Sequence, residues 1–283
     1  MTHPVRSVFL LAAVLAATAT GCAPVAEPAA PDAAECAPGA LPTLAPGTLT
    51  LGTDQPVYPP WFQGDDPANG KGFESAVGYA VAQELGYPRE KVAWKRVTFN
   101  AAIQPGPKPY DLDLNEFSIT DERRRAVDFS SPYYDVQQAV VTMKTSPLAG
   151  TRSLAEVKDA KLGAQIGTTS LDQLNATVAP TTPAAVFNTN DDAKLALANG
   201  QIAGLVVDLP TAFQITGGDL PGSTIVGQLP ASGNPEQFGA VLDKDSPLTA
   251  CVSGAVDRLR ASGRLTELER TWIQSAGAAP ELR

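Results

Sequence analysis

The segment that is most informative about the fold reads SITDERRRAVDFSSPYY and covers residues 118–134. Thr120 precedes two acidic residues, a pattern typical of a helix N-terminus, where a hydroxyl caps the first turn and carboxylates are favoured. Arg123 follows, and its planar guanidinium can bind a carboxylate through two parallel hydrogen bonds, which lysine cannot. The alternative is a surface arginine in a basic run, and we expect Arg124 and Arg125 to be solvated. The segment therefore contains one candidate carboxylate-binding residue.

Strands and helices alternate on both sides of this segment. A chain of 283 residues is too long for one ordinary core and suits two lobes of about 100–150 residues each. Alternating elements favour an α/β fold with largely parallel sheets. The proline-rich segment 104–109 is expected to shorten or distort a helix. Hydrophobic spacing and stop signals predict strands at 48–51, 162–166 and 203–207, and helices at 73–85, 191–198, 248–259 and 265–273.

Charge and composition exclude several classes of function. The net charge of −9 and the pI near 4.7 argue against a nucleic-acid partner, which would need a basic face. The single histidine is His3, and it lies in a segment that we expect to be removed. A histidine base and histidine metal ligands are therefore not expected. We predict no metal site and no cofactor.

The N-terminus has the features of an export signal. The apolar run Val8–Ala19 has the length of a signal-peptide core and is too short to span a bilayer. The next residues, Thr20-Gly21-Cys22, resemble the lipobox of bacterial lipoproteins, in which the cysteine is diacylated and becomes the new N-terminus. We therefore predict a signal peptide at 1–21 and a lipid on Cys22. The alternatives are a plain cleavable signal that ends at 17–19, or a buried core helix.

Residues 22–45 are predicted to be a lipidated tether and linker, because their alanine, proline and acidic composition cannot bury a core. The protein would then be exported and held by a lipid anchor at the outer face of the cytoplasmic membrane. If Cys22 carries lipid, Cys36 and Cys251 remain as a pair, and an exported protein permits a disulfide between them. Two buried free thiols are the alternative.

Several sequence blocks together resemble the polar amino-acid-binding proteins of ABC transporters, the family 3 solute-binding proteins. The most specific block is the segment 118–134 described above. The blocks occur in the family's order and extend over nearly everything after Cys36. The other blocks are GTLTLGTD at 47–54, YPPW at 58–61, GFE at 72–74 continuing to Gly86, GTT at 167–169, Asn199 to Asp208, and DSPL at 245–248.

The resemblance implies a two-lobed α/β clamshell. Each lobe would be a mixed or parallel sheet flanked by helices, with lobe 1 formed by residues 46–137 plus 231–283 and lobe 2 by 142–226. Two crossover strands would act as the hinge, with the apolar runs 139–143 and 224–229 as candidates. The ligand would lie between the lobes, the usual place for a small-molecule site. The implied partners are a free amino acid and an ABC transporter permease, and we expect a monomer.

The resemblance also implies roles for particular residues. Arg123 would bind the ligand α-carboxylate and Asp208 its α-ammonium, although Asp208 could instead cap the helix that follows it. Thr120 is expected to have a structural role. An aromatic side chain in such a set can equally belong to the core. The predicted ligand-binding residues are Asp54, Tyr58, Trp61, Phe99, Glu116, Ser118, Arg123, Thr168, Thr169 and Asp208.

The choice of ligand depends on two acidic residues in this set. Asp54 and Glu116 would be costly in a desolvated cleft unless they are protonated or paired with a cation. The side chain of lysine, arginine or ornithine could supply that cation, and glutamate and aspartate would be repelled. Alternatively, a protein cation pairs with Glu116 and leaves a pocket for an amide or neutral side chain. The candidate cations are Lys95, Arg96 and Lys108.

Two further classes of function remain open from the sequence. An enzyme on the same fold, such as a relative of cyclohexadienyl dehydratase, would need a carboxyl general acid in the cleft. Glu116 and Asp54 are the candidates for that acid. A ligand-sensing domain would need a separate signalling partner. We predict a binding protein and no enzymatic activity.

Overall fold

The structure is a computed structural model that describes Met1, Cys36 and residues 41–230, 235–273 and 279–283. The chain divides into Met1–Ala30 and Pro31–Arg283, and everything below refers to the second unit. The predicted signal peptide and the predicted lipidation at Cys22 lie outside the described residues. Among the described residues, no helix is both long and apolar enough to cross a bilayer.

The protein is a two-lobed α/β clamshell in which two five-stranded sheets carry the two lobes. The alternation of strands and helices that the sequence predicts is confirmed. In chain order the strands are β1 (Leu49–Thr53), β2 (Val92–Arg96), β3 (Leu112–Asp113), β4 (Asp128–Phe129), β5 (Tyr134–Val136), β6 (Gln138–Met143), β7 (Leu162–Gln165), β8 (Ala185–Phe187), β9 (Gly204–Asp208), β10 (Ser223–Gln228), β11 (Glu236–Phe238) and β12 (Val241–Leu242).

Helices cover the sheets and follow the predicted positions closely. Gly86, with φ of 80°, follows α1 as the predicted stop, because glycine adopts this left-handed conformation without steric cost. Helix α2 has only four residues, in line with the shortening expected from the prolines at 104–109. The helices are α1 (Phe73–Glu84), α2 (Phe99–Ala102), α3 (Leu154–Lys158), α4 (Thr169–Gln173), α5 (Asn190–Ala198), α6 (Leu209–Gln214), α7 (Thr249–Ala261) and α8 (Arg264–Trp272).

Both large sheets are mixed, so the expectation of largely parallel sheets was wrong. The first sheet has the order β2-β1-β3-β12-β4 and the second β10-β6-β9-β7-β8. β1 is parallel to β2 and β3, and β7 is parallel to β8 and β9. β12 is antiparallel to β3 and β4, and β6 is antiparallel to β9 and β10. These two reversed strands follow β5 and β11, the strands at the two passages of the chain between the sheets.

The chain passes between the two sheets at two adjacent places. β5 pairs with β11 in a separate two-stranded sheet, and β6 pairs with β10 at the edge of the second sheet. The predicted crossover runs 139–143 and 224–229 therefore form β6 and the region of β10. The two passages run side by side, which is the geometry of a double-stranded hinge.

The disulfide predicted between Cys36 and Cys251 is present, with 5.4 Å between the two Cα atoms. Cys251 lies in the first turn of α7. Helices α1, α7 and α8 contact one another and form the core of the first lobe together with buried residues of β1 and β3. The disulfide therefore attaches the start of the folded unit to this core.

The last residues of the chain lie on the second sheet. The backbone N–H of Gln228 donates to the carbonyl of Pro280 at 2.8 Å, and the N–H of Leu282 donates to Gln228 at 2.9 Å. Leu282 is fully buried in the core of the second lobe. The prediction assigned all of 231–283 to lobe 1, and this segment departs from it. The other predicted limits of the lobes stay a prediction.

Candidate functional site

A cavity opens where the parallel strands of both sheets end. Asp54 and Tyr58 follow β1, Glu116 follows β3, and Asp208 ends β9. Open α/β sheets place ligand groups at the carboxyl ends of their strands, because the loops there converge on one crevice. The residues that line the cavity are Asp54, Pro56, Tyr58, Phe99, Asn115, Glu116, Gln165, Thr168, Thr169, Ser170, Asn190, Val207 and Asp208.

Seven of the ten predicted ligand-binding residues line this one cavity, namely Asp54, Tyr58, Phe99, Glu116, Thr168, Thr169 and Asp208. Ser118 and Arg123 lie directly behind it. Trp61 is absent from the lining. It is fully buried among three other aromatic rings, with its centroid 5.5 Å from that of Phe238. Its indole N–H donates to Thr211 Oγ1 at 2.8 Å, so Trp61 contacts the second lobe without facing the cavity.

Arg123 is the buried cation of the site. Its guanidinium donates to the carbonyl of Ser118 at 2.7 Å and to the carbonyl of Gly167 at 2.9 Å. It also lies over the Phe99 ring, with 5.4 Å between Cζ and the ring centroid. Burial lowers the pKa of Arg123, and the charge of Glu236 opposes that shift. The side chain thus joins the two lobes and remains a cation.

The local backbone holds Arg123 in place. The hydroxyl of Thr120 accepts the backbone N–H of Arg123 at 3.1 Å. The short helical turn Arg123–Arg125 begins later than predicted, with Glu122 and not Thr120 at its N-cap. Arg124 and Arg125 are exposed, as predicted. The three consecutive arginines therefore have different environments, and of the three only Arg123 is buried, with its guanidinium on the carbonyls of Ser118 and Gly167.

Glu116 and Asp208 both line the cavity, Glu116 after β3 of the first sheet and Asp208 at the end of β9 of the second. Thr211 Oγ1 donates to Glu116 at 3.1 Å and the amide of Gln138 donates to Asp208. Burial raises the pKa of both carboxyls, and negative neighbours raise them further. Asp208 precedes α6 but its side chain makes no cap, so the alternative role as a helix cap is not seen.

The structure also decides between the partners considered for Glu116. Lys95 is exposed, Arg96 donates to the carbonyl of Asp54, and Lys108 donates to carbonyls near the end of α2. Among the described residues, none of these three cations forms an ion pair with Glu116. The carboxyl of Glu116 instead accepts a hydrogen bond from the hydroxyl of Thr211.

Glu74 was not predicted as a site residue, but its carboxyl accepts a hydrogen bond from the backbone of Glu116. Glu116 has a left-handed backbone with φ of 55°, and its N–H donates to Glu74 Oε1 at 2.7 Å. Tyr133 donates its hydroxyl to the same oxygen. Glu74 is fully buried in the first turn of α1, and burial raises its pKa to about 7. An acidic residue in the first turn of a helix is common, so the sequence did not indicate that Glu74 contacts Glu116.

Glu236 is a second residue that sequence reasoning missed. Its carboxylate accepts hydrogen bonds from Ser118 at 2.5 Å, from Gln138 at 3.1 Å and from Gln173 at 2.6 Å. These partners belong to both lobes and to the hinge strand β6. The residue begins β11 immediately after the second passage between the sheets, where no sequence motif marks it.

Thr168 and Thr169 begin helix α4 as the sequence predicts. Thr168 Oγ1 accepts from the N–H of Leu171 at 3.2 Å and caps the helix. Thr169 Oγ1 lies 3.1 Å from the hydroxyl of Ser118 in the other lobe. Gly167 is required because its φ is 75° and a Cβ there would lie 2.4 Å from the side chain of Asn100. Whether this turn binds an anion stays a prediction.

Comparison with known proteins gives a consistent result. The sequence profile described as "Bacterial extracellular solute-binding proteins, family 3" matches residues 49–275. The L-arginine-binding protein of Pseudomonas aeruginosa is 28% identical over 249 residues, which cover 82% of this chain and 93% of that protein. The arginine-binding extracellular protein ArtP of Bacillus subtilis is 26% identical and covers 80% of this chain and 86% of that protein.

Among solved structures, an ancestral arginine-binding protein bound to arginine superposes with a TM-score of 0.64 and 28% identity, covering 80% of this chain and 98% of that chain. The ancestral amino acid-binding protein AncCDT-1, a precursor of cyclohexadienyl dehydratase, superposes with a TM-score of 0.64 and 25% identity, covering 80% of this chain and 95% of that chain. These relatives are binding proteins, as the sequence blocks indicated.

Proposed function

This chain belongs to family 3 of the bacterial extracellular solute-binding proteins, and from that premise we propose that it captures one free amino acid between its lobes and delivers it to an ABC-type uptake permease. The observation that carries the proposal is the pairing of opposite charges around one cavity. Arg123 lies behind one side of the cavity and Asp208 lines another. A zwitterion carries a carboxylate and an ammonium at matching ends, and each of these residues offers the complementary charge.

The acidic lining of the cavity favours a ligand with a basic or amide side chain. Asp54, Glu116 and Asp208 all contribute carboxyls to the lining. Glutamate and aspartate would add another negative charge where protein cations do not balance it, so they should be rejected. The names of the reported relatives, three of which mention arginine, support the same class of ligand.

A ligand screen tests this proposal. We expect arginine, lysine, ornithine or glutamine to raise the melting temperature of the purified protein, because a ligand that binds only the folded state stabilises it by mass action. Glutamate and aspartate should leave it unchanged. Tightest binding of glutamate or aspartate would contradict the proposed ligand class, and no shift with any amino acid would contradict the function.

Glu116→Gln separates the two ligand subclasses. If Glu116 selects a basic side chain, the variant should weaken the binding of arginine far more than the binding of glutamine, since only arginine loses a charged partner. Asp159→Asn provides the control, because Asp159 is an exposed carboxyl in the second lobe that does not line the cavity. Equal weakening of both ligands would remove Glu116 from the selection of the side chain.

The remaining features of the proposal concern anchoring and organisation. We propose that the protein is a monomer in solution and that its lobes are formed by residues 46–137 plus 231–273 and by residues 142–226. We also propose a lipid anchor on Cys22 at the outer face of the cytoplasmic membrane. Metabolic labelling of cells with a palmitate analogue checks the anchor. Labelled wild type beside unlabelled Cys22→Ser is the expected result, and an unlabelled wild type contradicts it.

A second candidate function is a dehydratase on the same fold. It is favoured by the raised pKa of the Glu116 carboxyl in the cavity, because a carboxyl that keeps its proton can act as a general acid. The resemblance to a precursor of cyclohexadienyl dehydratase points the same way. We propose that the chain is not an enzyme, since the hydroxyl of Thr211 already donates to this carboxyl. Product formation from prephenate or arogenate by the wild type, lost in Glu116→Gln, would reverse this.

A further inference from the structure

Thr211 connects two of the predicted ligand-binding residues. The indole N–H of Trp61 donates to Thr211 Oγ1 at 2.8 Å, and the same hydroxyl donates to Glu116 Oε2 at 3.1 Å. Trp61 follows β1 and Glu116 follows β3, both strands of the first sheet, whereas Thr211 lies in α6, directly after β9 of the second sheet. One hydroxyl of the second lobe therefore lies between an indole and a carboxyl of the first.

The hydrogen bond from Trp61 sets the direction of the second one. A hydroxyl carries one proton, and an indole N–H can only donate. Because the N–H of Trp61 occupies a lone pair of Thr211 Oγ1, the proton of that hydroxyl is free to point at the Glu116 carboxyl. The two hydrogen bonds therefore run in one direction, from the indole through the hydroxyl to the carboxyl.

The aromatic neighbours of Trp61 hold its indole in place. The side chain is fully buried, and its ring meets the rings of Tyr134 and Phe238 edge to face, with 5.5 Å between the centroids in each pair. The ring of Phe73 makes a similar contact at 6.2 Å. A buried indole N–H usually has a hydrogen-bond partner. Thr211 supplies that partner from the other lobe.

Glu116 is consequently held at two points. Its backbone N–H donates to Glu74 Oε1 at 2.7 Å, and its carboxyl accepts from Thr211. The residue lines the cavity. A side chain that is already fixed loses little conformational freedom when it pairs with a ligand, so more of the interaction appears as affinity. The hold on the Glu116 carboxyl therefore bears on which ligand side chain it favours.

We propose that Trp61 and Thr211 are positioning residues for the choice of ligand: the N–H of Trp61 directs the Thr211 hydroxyl to Glu116, and this fixes the carboxyl that favours a basic side chain over an amide one. This inference rests on the proposed function and names further residues that serve its selectivity. Trp61 acts through two hydrogen bonds, without facing the cavity. Since Thr211 comes from the second lobe, the arrangement is complete only where the two lobes meet.

Calorimetric titration of Thr211→Val and Thr211→Ser with L-arginine and L-glutamine tests this arrangement. Valine has nearly the shape of threonine but lacks the hydroxyl. The affinity for arginine should therefore fall about tenfold, the effect expected from one hydrogen bond to a charged group, and the affinity for glutamine should fall less. Serine keeps the hydroxyl and should recover most of the loss. A merely structural role for Thr211 would weaken both ligands alike.

Thr216→Val is the matched control. Thr216 is half-buried just after α6, does not line the cavity, and its hydroxyl donates to the carbonyls of Ala212 and Phe213 at 2.9 and 3.3 Å. This variant should bind both amino acids as the wild type does. Trp61→Phe keeps an aromatic ring in the core and removes the N–H. It should shift the ratio of the two affinities in the same direction as Thr211→Val.

Each outcome decides the matter. If Thr211→Val keeps the wild-type ratio of the arginine and glutamine affinities, or if Thr211→Ser is as impaired as Thr211→Val, the inference is overturned and the proposed function stands. If Thr211→Val does not fold, Trp61→Phe decides by the same ratio. If the wild type binds only one of the two amino acids, the loss of that affinity in Thr211→Val and its recovery in Thr211→Ser decide. If the wild type binds neither, the proposed ligand class falls and this inference falls with it.

Discussion

At the scale of single residues, the contact that organises the site is the one between Glu74 and the backbone of Glu116. A non-glycine residue with a left-handed backbone is uncommon and persists only where its surroundings hold it. The N–H of Glu116 and the hydroxyl of Tyr133 both donate to one oxygen of Glu74. Glu74 is thus a positioning residue that orients the carboxyl of Glu116 towards the cavity.

Glu74→Ala should destabilise the protein by about 2–3 kcal/mol, because two buried donors lose their acceptor. Glu74→Gln keeps an acceptor oxygen at the same place and should cost less. Equilibrium unfolding in urea measures both variants, with exposed Glu90→Ala as the control near wild type. If Glu74→Ala were as stable as the control, Glu74 would not be holding Glu116.

The sequence predicted the residues of the cavity better than it predicted their supports. Arg123 and Asp208 were found through the resemblance to the family, and a helix start after a buried strand marks the threonines of 168–169. Glu74 and Glu236 were missed because their roles depend on contacts between segments far apart in the chain. Trp61 was predicted to line the cavity from its residue type, whereas three neighbouring aromatic rings hold it in the core.

At the scale of elements, the C-terminal segment 279–283 is an addition to the second sheet. Its backbone hydrogen bonds to Gln228 extend the hinge strand β10. The segment also packs closely on this strand, because a Cβ added at Gly227 would lie only 2.7 Å from the carbonyl oxygen of Pro280. Helix α8 belongs to the first core, so the chain returns to the other lobe after it. The end of the chain therefore connects the two lobes a third time.

Leu282→Ala should lower the free energy of unfolding by about 2–5 kcal/mol, the usual cost of truncating a buried leucine. Arg283→Ala is the control, because Arg283 is exposed and its backbone hydrogen bonds are kept. Urea denaturation compares the two variants. If both variants unfold at the urea midpoint of the wild type, the segment contributes nothing to the second lobe.

The order of elements was predictable because local periodicity and glycine stops mark each helix and buried strand. Which strands join each sheet was less predictable. The strands β3, β4 and β12 have only two residues each, too few for a periodic pattern, and they are defined by pairing alone. The same holds for 279–283, where one buried residue, Leu282, carries the packing.

At the scale of the whole molecule, buried carboxyls dominate the electrostatics. Burial raises the pKa of Glu74 to about 7 and that of Asp113 well above its usual range. Both oxygens of Asp113 lack a hydrogen-bond partner among the described residues. A carboxyl with a raised pKa keeps its proton in the folded state after the unfolded state has lost it, so folding stability falls as pH rises above about 4.5.

The ligand-free protein should therefore melt at a lower temperature at pH 8 than at pH 5.5. Each such carboxyl contributes at most about 1.4 kcal/mol per pH unit between its unfolded and folded pKa values. Asp113→Asn should reduce the decline, and exposed Asp121→Asn should leave it unchanged. Calorimetric scans across this range test the sign, and a melting temperature that rises towards pH 8 would refute it.

The central claim is that this protein binds an amino acid through Arg123 and Asp208 in the cleft between its lobes. Calorimetric titration with L-arginine and L-glutamine tests it most directly when the wild type is compared with Arg123→Ala and Arg124→Ala. We expect one ligand per chain, a loss of at least about 2 kcal/mol in Arg123→Ala, and wild-type affinity in Arg124→Ala, whose side chain is exposed. Equal affinity of Arg123→Ala and the wild type would contradict it.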